Sequence, residues 1–333
     1  MKKRRYRKLK AIKTKPIKIN RRISKNIYPD RRSRKIKPLK FRMSDFIGLG
    51  QIKTSKEARS IFENFRTQFI YAEKSKSQSI RIDMDDHTGF DPAALMYFIK
   101  LIYYANNLLN LKVSGTFPKT REARRQLIDI GFIGRENASK KCVSLIDGDR
   151  PSRKTAKELA EFLADQLIQS TSNQDDCSIF NRKQLIQKFY GPFFELMQNV
   201  YAHAGEKRKI RWHAFGLFDE KNKKATAVVG DLGIGIRKSF SKKEPTLKKV
   251  LKSDSQFIRQ VLIKGISSHP GKGRGKGLKE LRRLAEEGAE LTVLSGRGLV
   301  FVTPDGICDG SHLQSIPGTI VVFSITKGDC DDE

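Results

Sequence analysis

The strongest constraint on the fold is an apolar strand that ends in a carboxylate hemmed in by glycines. Ala225 to Val229 reads as a strand and runs directly into Gly230-Asp231-Leu232-Gly233-Ile234-Gly235-Ile236. Lys209 to Phe218 precedes it as another strand, and the polar run 219–223 joins the two as a hairpin. A carboxylate fixed at a strand end can accept a hydrogen bond from an exocyclic amine, while glycine beside it lets a flat base approach the backbone. The same residues also make an ordinary Asp-anchored turn.

Three further segments bear on that choice. Glu195-Leu196-Met197-Gln198-Asn199-Val200-Tyr201-Ala202-His203-Ala204 contains no breaker, and Pro192 serves as N1 of a helix about three turns long. Glu195, Asn199 and His203 fall near one stripe, with Phe194, Met197, Val200 and Tyr201 on the apolar side. The carboxylate can take a proton from water and the amide oxygen can bind a hard cation such as Mg²⁺; equally, all three are ordinary residues of a solvent-facing stripe. Downstream, His269-Pro270-Gly271-Lys272-Gly273-Arg274-Gly275-Lys276-Gly277-Leu278 fits neither common phosphate-loop pattern. Its glycines nevertheless run into a helix pattern at 279–284, aiming backbone N–H groups at an anion, and Lys272, Arg274 and Lys276 add charge. Lastly, Pro317-Gly318-Thr319-Ile320 places a Gly-Thr pair at the head of a strand.

These four segments, in this order, resemble the N, G1, G2 and G3 boxes of the GHKL ATPase superfamily, over residues 155–327. The resemblance implies a two-layer α/β sandwich, a mixed sheet backed by helices, that binds ATP with Mg²⁺. It implies that Glu195 is the general base and that Asn199 coordinates the metal, with His203 near the phosphates. Asp231 would read adenine, assisted through water by Thr319, while Gly233, Gly235 and Ile236 line the base. Lys272, Gly273, Arg274, Gly275, Lys276, Gly277 and Leu278 would close over the phosphates as the hinge of a lid. Leu232 departs from the family, standing where an Asn often follows the adenine-reading Asp.

In the first half, Ser79 to Met84 alternates as a strand, and Asp91-Pro92 offers a cap and first residue for a helix through Asn107. A strand at 111–115 and a helix at 120–130 follow, which makes a small α/β layer. This order resembles the STAS domain of anti-sigma-factor antagonists. Asp91-Pro92-Ala93-Ala94 stands where that family carries its phosphorylatable serine, so the resemblance implies a partner-binding module and not a phospho-switch. Asp83, Asp85, Asp86 and His87 read as a solvated loop at a strand end, not as a metal site. The expected organisation is a basic arm over 1–42, a STAS-like α/β domain over 43–140, a turn-rich linker over 141–154, the GHKL domain over 155–327 and an acidic tail over 328–333.

Charge singles out the arm: the chain carries a formal +31, and residues 1–42 hold 20 Lys and Arg against Asp30 alone. So cationic a block repels itself and reads as an arm that contacts nucleic acid through residues 1–40, or as a solubilising tail. It has no apolar core of the kind a secretory signal needs, and no run reaches the length of a membrane span. The most apolar segment, Ala93 to Leu109, is interrupted by Lys100 and Asn106-Asn107. The four cysteines are widely spaced, which speaks against a zinc site or a disulfide framework and for a cytoplasmic protein.

Among functions of the superfamily, a two-component kinase needs a phosphoacceptor His ahead of the ATP domain, and the helix at 155–169 has none. A gyrase-like enzyme needs a transducer after the last box, where only about ten residues follow Phe323. The expectation is therefore an ATP-binding, Mg²⁺-dependent ATPase or protein serine/threonine kinase of the anti-sigma-factor type, acting as a regulatory switch. The alternative is a nucleotide-gated nucleic-acid-binding protein that grips through its arm and hydrolyses slowly or not at all.

Overall fold

The computed structural model describes residues 39–48, 79–134, 142–168, 177–204, 211–241, 253–265 and 276–326. All belong to one compact unit, Lys37–Glu333. The arm up to residue 38 and the acidic tail lie outside the described residues.

The described chain is mixed α/β with two sheets. The first is parallel, in the order β1 (Leu39–Ile47), β2 (Ser79–Phe90), β3 (Lys112–Gly115). Residues 39–42, expected in the arm, are thus the first residues of β1. Helix α1 (Pro92–Asn107) crosses from β2 to β3, and α2 (Arg121–Asp129) follows. Asp91 caps α1 as its sequence requires, its Oδ1 accepting from Ala94 N at 2.6 Å. Strand β2 continues past Met84 to Phe90, so the acidic run is strand and not a solvated loop. Its carboxylates are paired: Asp85 with Lys119 at 2.7 Å, Asp86 with Arg42, and Asp83 with the Thr116 hydroxyl at 3.0 Å. His87 is buried beside Phe90.

The second sheet contains β4 (Val143–Gly148), β5 (Trp212–Asp219), β6 (Lys224–Asp231), β7 (Ala289–Thr303) and β8 (Gly306–Thr326), in the order β4-β5-β6-β8-β7. Every pairing in it is antiparallel, where a mixed sheet was expected. The expected linker at 141–154 holds β4, an edge strand fastened to β5 and tied by Asp147 to Arg211 at 2.5 Å. The 219–223 turn forms as read, with Asp219 Oδ1 accepting from Lys221 N and Asn222 N.

Helices α3 (Arg153–Ile168), α4 (Cys177–Ala204), α5 (Gly235–Ser241), α6 (Asp254–Lys264) and α7 (Gly277–Glu286) complete the fold. Pleating divides the antiparallel sheet into two apolar faces. Trp212, Ala214, Ala227, Val229 and Val321 join α3, α4, α6 and α7 in one core. Phe215, Val228, Ile320 and Val322 join α1 and the parallel strands in the other. Helix α1 is therefore enclosed between two sheets, and its residues 93 to 101 are all buried. A helix apolar all round is what such a position demands. The proposed boundary between an N-terminal domain and the rest is crossed by this shared core.

Pro192 does not begin its helix; it lies inside the 28 residues of α4. A proline there removes one intrahelical bond and costs about 3 kcal/mol. Phe189, Phe193, Leu196, Met197 and Val200 repeat at helical spacing and are buried, which carries the helix through.

Candidate functional site

An open cleft with about 760 Å³ of empty space, counted out to its mouth, lies between the antiparallel sheet and helices α4 to α7. Glu195 and Asn199 reach it from α4, Asp231 from the end of β6, Gly235 and Ile236 from the start of α5, Leu278 from α7 and Thr319 from β8. Residues up to 126 positions apart in sequence, Glu195 and Val321, thus share one lining. Val229, Val261 and Val321 supply apolar wall.

Asp231 is the buried polar anchor. Its Oδ1 accepts from Gly233 N at 2.5 Å and its Oδ2 from Thr319 N at 3.2 Å. Burial raises its pKa, against the pull of Lys100 and the two backbone donors. The Thr319 donor is aimed by a break in the β7–β8 ladder. Ser295 pairs with Thr319 but Gly296 pairs with Ile316, so Pro317 and Gly318 bulge out of register. Gly318 has φ 79°, and a Cβ there would collide with the Asp231 carbonyl. The Gly-Thr pair expected at a strand head sits instead at this bulge, inside a strand of 21 residues.

Ser295 was not singled out by sequence, yet it fastens the site. Its hydroxyl accepts from Ile236 N at 2.8 Å, donates to Gly318 O at 3.0 Å and lies 3.3 Å from Thr319 Oγ1. The signal was the break Ser295-Gly296-Arg297-Gly298 in an otherwise apolar strand.

Glu195 is buried, and its Oε2 accepts from Gly277 N at 2.8 Å and Lys276 N at 3.2 Å. It therefore fixes the N-terminus of α7 to α4, where a carboxylate also suits the helix dipole. Leu196, Met197 and Val200 form the buried side of α4, whereas Tyr201, expected on that side, is 52% exposed. The helix turns Tyr201 away from the core because the stripe from Phe189 to Val200 already defines its buried face. His203 lies in the last turn of α4, and its side chain is outside the described residues, as are Lys272, Gly273, Arg274 and Gly275. Lys276 is exposed at the start of α7, with Gly277 and Leu278 buried behind it.

The other unanticipated residue is Lys100. It projects from α1 at the back of the sheet, is wholly buried, and its Nζ donates to Thr319 O at 3.5 Å. Gly230 gives it room, since a Cβ there would lie 3.3 Å from that Nζ and 2.8 Å from Met96 Cγ. Burial pushes the Lys100 ammonium down to about 7, with Asp231 pulling the other way. His213, opposite Gly230 on β5, is also buried, and burial pushes it down to about 3.

Among the described residues, no group of three or more His, Cys, Asp or Glu side chains is arranged to hold a metal ion. No helix among them is long and apolar enough to cross a membrane. The chain matches no protein-family model and no curated protein.

Proposed function

We propose that this protein is an ATP-binding, Mg²⁺-dependent phosphoryl-transfer or ATP-hydrolysing enzyme of the GHKL type, with its STAS-like layer serving as a partner-binding element. The observation that carries this reading is the convergence of Glu195, Asn199, Asp231, Leu278 and Thr319 on one cleft. Each comes from a different one of the four segments that resemble the family's boxes, save Glu195 and Asn199, which share one.

The chemistry of the lining supports a purine. Asp231 lies at the end of β6 beside the apolar wall of Val229, Val261 and Val321 and is oriented by two backbone donors, so it presents an acceptor against an apolar surface. That is the complement of a flat ring bearing an exocyclic amine. Asn199 offers a hard oxygen donor in the same cleft and would hold Mg²⁺ together with phosphate oxygens. When bound, the ion supplies charge neutralisation at the phosphates. Glu195 would take the proton from the attacking water or hydroxyl. Whether that acceptor is water or a protein serine separates an ATPase from a kinase, and both use the same residues.

The test is binding of a fluorescent ATP analogue to the full chain and to Asp231→Asn. Losing one charged acceptor costs roughly 1.5–3 kcal/mol, so affinity should fall at least tenfold. Equal affinity would remove the adenine role of Asp231.

A further inference from the structure

We propose that Lys100, supplied by the N-terminal α/β layer, is a positioning and specificity-determining residue for the cleft: it holds Thr319 from behind and keeps Asp231 a negatively charged acceptor. The specificity half rests on the nucleotide reading above, while the coupling between Lys100 and Asp231 does not.

The geometry is a clamp through the sheet. Residue Thr319 is tied on both sides: its N–H donates to Asp231 Oδ2 at the cleft, and its carbonyl accepts from Lys100 Nζ at the back. Glycine before Asp231 leaves room for this approach, since a Cβ there would lie 3.3 Å from the ammonium. A lysine enclosed between two sheets is costly unless its charge is answered, and burying an isolated ion is disfavoured by several kcal/mol. Replacement by leucine or methionine would fill the same space without that cost, so packing alone does not explain a lysine here.

The charges facing this point come from several elements. Helix α1 brings Lys100 and Tyr103, β5 brings His213 with Arg211 just ahead of it, β6 brings Asp231, and α4 brings Glu195 across the cleft. Strands β7 and β8 contribute the neutral hydroxyls of Ser295 and Thr319. His213, held down to about 3 by burial, stays neutral above pH 5 and cannot substitute for Lys100.

The consequence for ligand choice is chemical. An ionised Asp231 accepts from the exocyclic amine of adenine and repels the carbonyl oxygen that hypoxanthine carries at the same position. A protonated Asp231 could donate to that oxygen instead. Lys100 thus favours ATP over ITP.

Two measurements on the full chain test this, using Lys100→Met and, in case it folds poorly, Lys100→Gln. The first follows the ¹³Cγ signal of labelled aspartate against pH in ligand-free protein, with Asp231 assigned by its loss in Asp231→Asn. The Asp231 midpoint should rise by one pH unit or more in either Lys100 variant; an unmoved midpoint overturns the coupling. The second measures competition of ATP and ITP against the fluorescent analogue at pH 6 and pH 8. The preference for ATP should narrow at least tenfold in the variants, more at pH 6 than at pH 8. A shifted midpoint with an unchanged preference overturns the specificity role. Wild-type protein that binds neither nucleotide overturns that role together with the nucleotide reading, while the first measurement still decides the coupling. A merely structural lysine would change stability and leave both readouts where they were.

Discussion

Glu195 accepts the N–H groups of Lys276 and Gly277 while its side chain lines the cleft, so one carboxylate both caps α7 and faces the ligand. Glutamine separates the two duties, because its amide oxygen still accepts while the basic carboxylate is gone. Glu195→Gln is expected to bind the ATP analogue within a few-fold of wild type and to lose phosphate release or protein labelling by roughly 10²–10⁴. A fully active Gln variant would show that another group is the base. Glu195→Ala should weaken the α7 cap as well, by about 1 kcal/mol in denaturant unfolding. At this scale the sequence was informative about which side chains meet, since Glu195, Asn199, Asp231 and Thr319 were all named from it. It was silent about what holds them. Ser295 and Lys100 act through hydrogen bonds to backbone groups of distant strands, and no local pattern encodes a partner 23 or 219 residues away.

The elements show the same division. The hairpin of β5 and β6 and helix α1 were legible because alternation, turn residues and an Asp-Pro cap are local signals. Strand β4 was not, because an edge strand of six residues between turn-rich flanks gains its order from β5 alone. Pro192 misled in the opposite direction. Its local preference for a helix start was overridden by the apolar stripe of α4, whose burial outweighs one missing bond. Immediately before it, Gly191 is exposed in mid-helix, and a Cβ there would meet nothing within 4 Å. Gly191→Ala should therefore stabilise the protein by about 0.5–1 kcal/mol, read as a higher urea midpoint with an unchanged slope. A destabilised variant would mean that α4 needs that glycine for a bend.

At the scale of the whole molecule, α1 makes one body of what the sequence divides into two domains. Its apolar residues were read for their length against a membrane span, and Lys100 as an interruption, whereas both sheets claim them. Periodicity could not reveal this, since a helix buried on every side has no polar face to mark its orientation. Unfolding should consequently be cooperative across the layers. Trp212 is the only tryptophan in the chain and lies buried on the cleft-side core, so its fluorescence reports the antiparallel sheet. Hydrogen exchange of β2 and β3 reports the parallel one. The two should lose structure at the same denaturant concentration, and midpoints clearly apart would restore two independent domains.

Enclosure of α1 also sets an order on biosynthesis. The parallel layer leaves the ribosome first, but the second surface that α1 packs against is completed only with β8, which ends at Thr326. At roughly 5–20 residues per second, the interval from α1 to β8 is on the order of ten to forty seconds. Until β6 and then β8 arrive, Met96 and its neighbours lack the cover of the antiparallel sheet, so the nascent chain is a natural client for a holding chaperone.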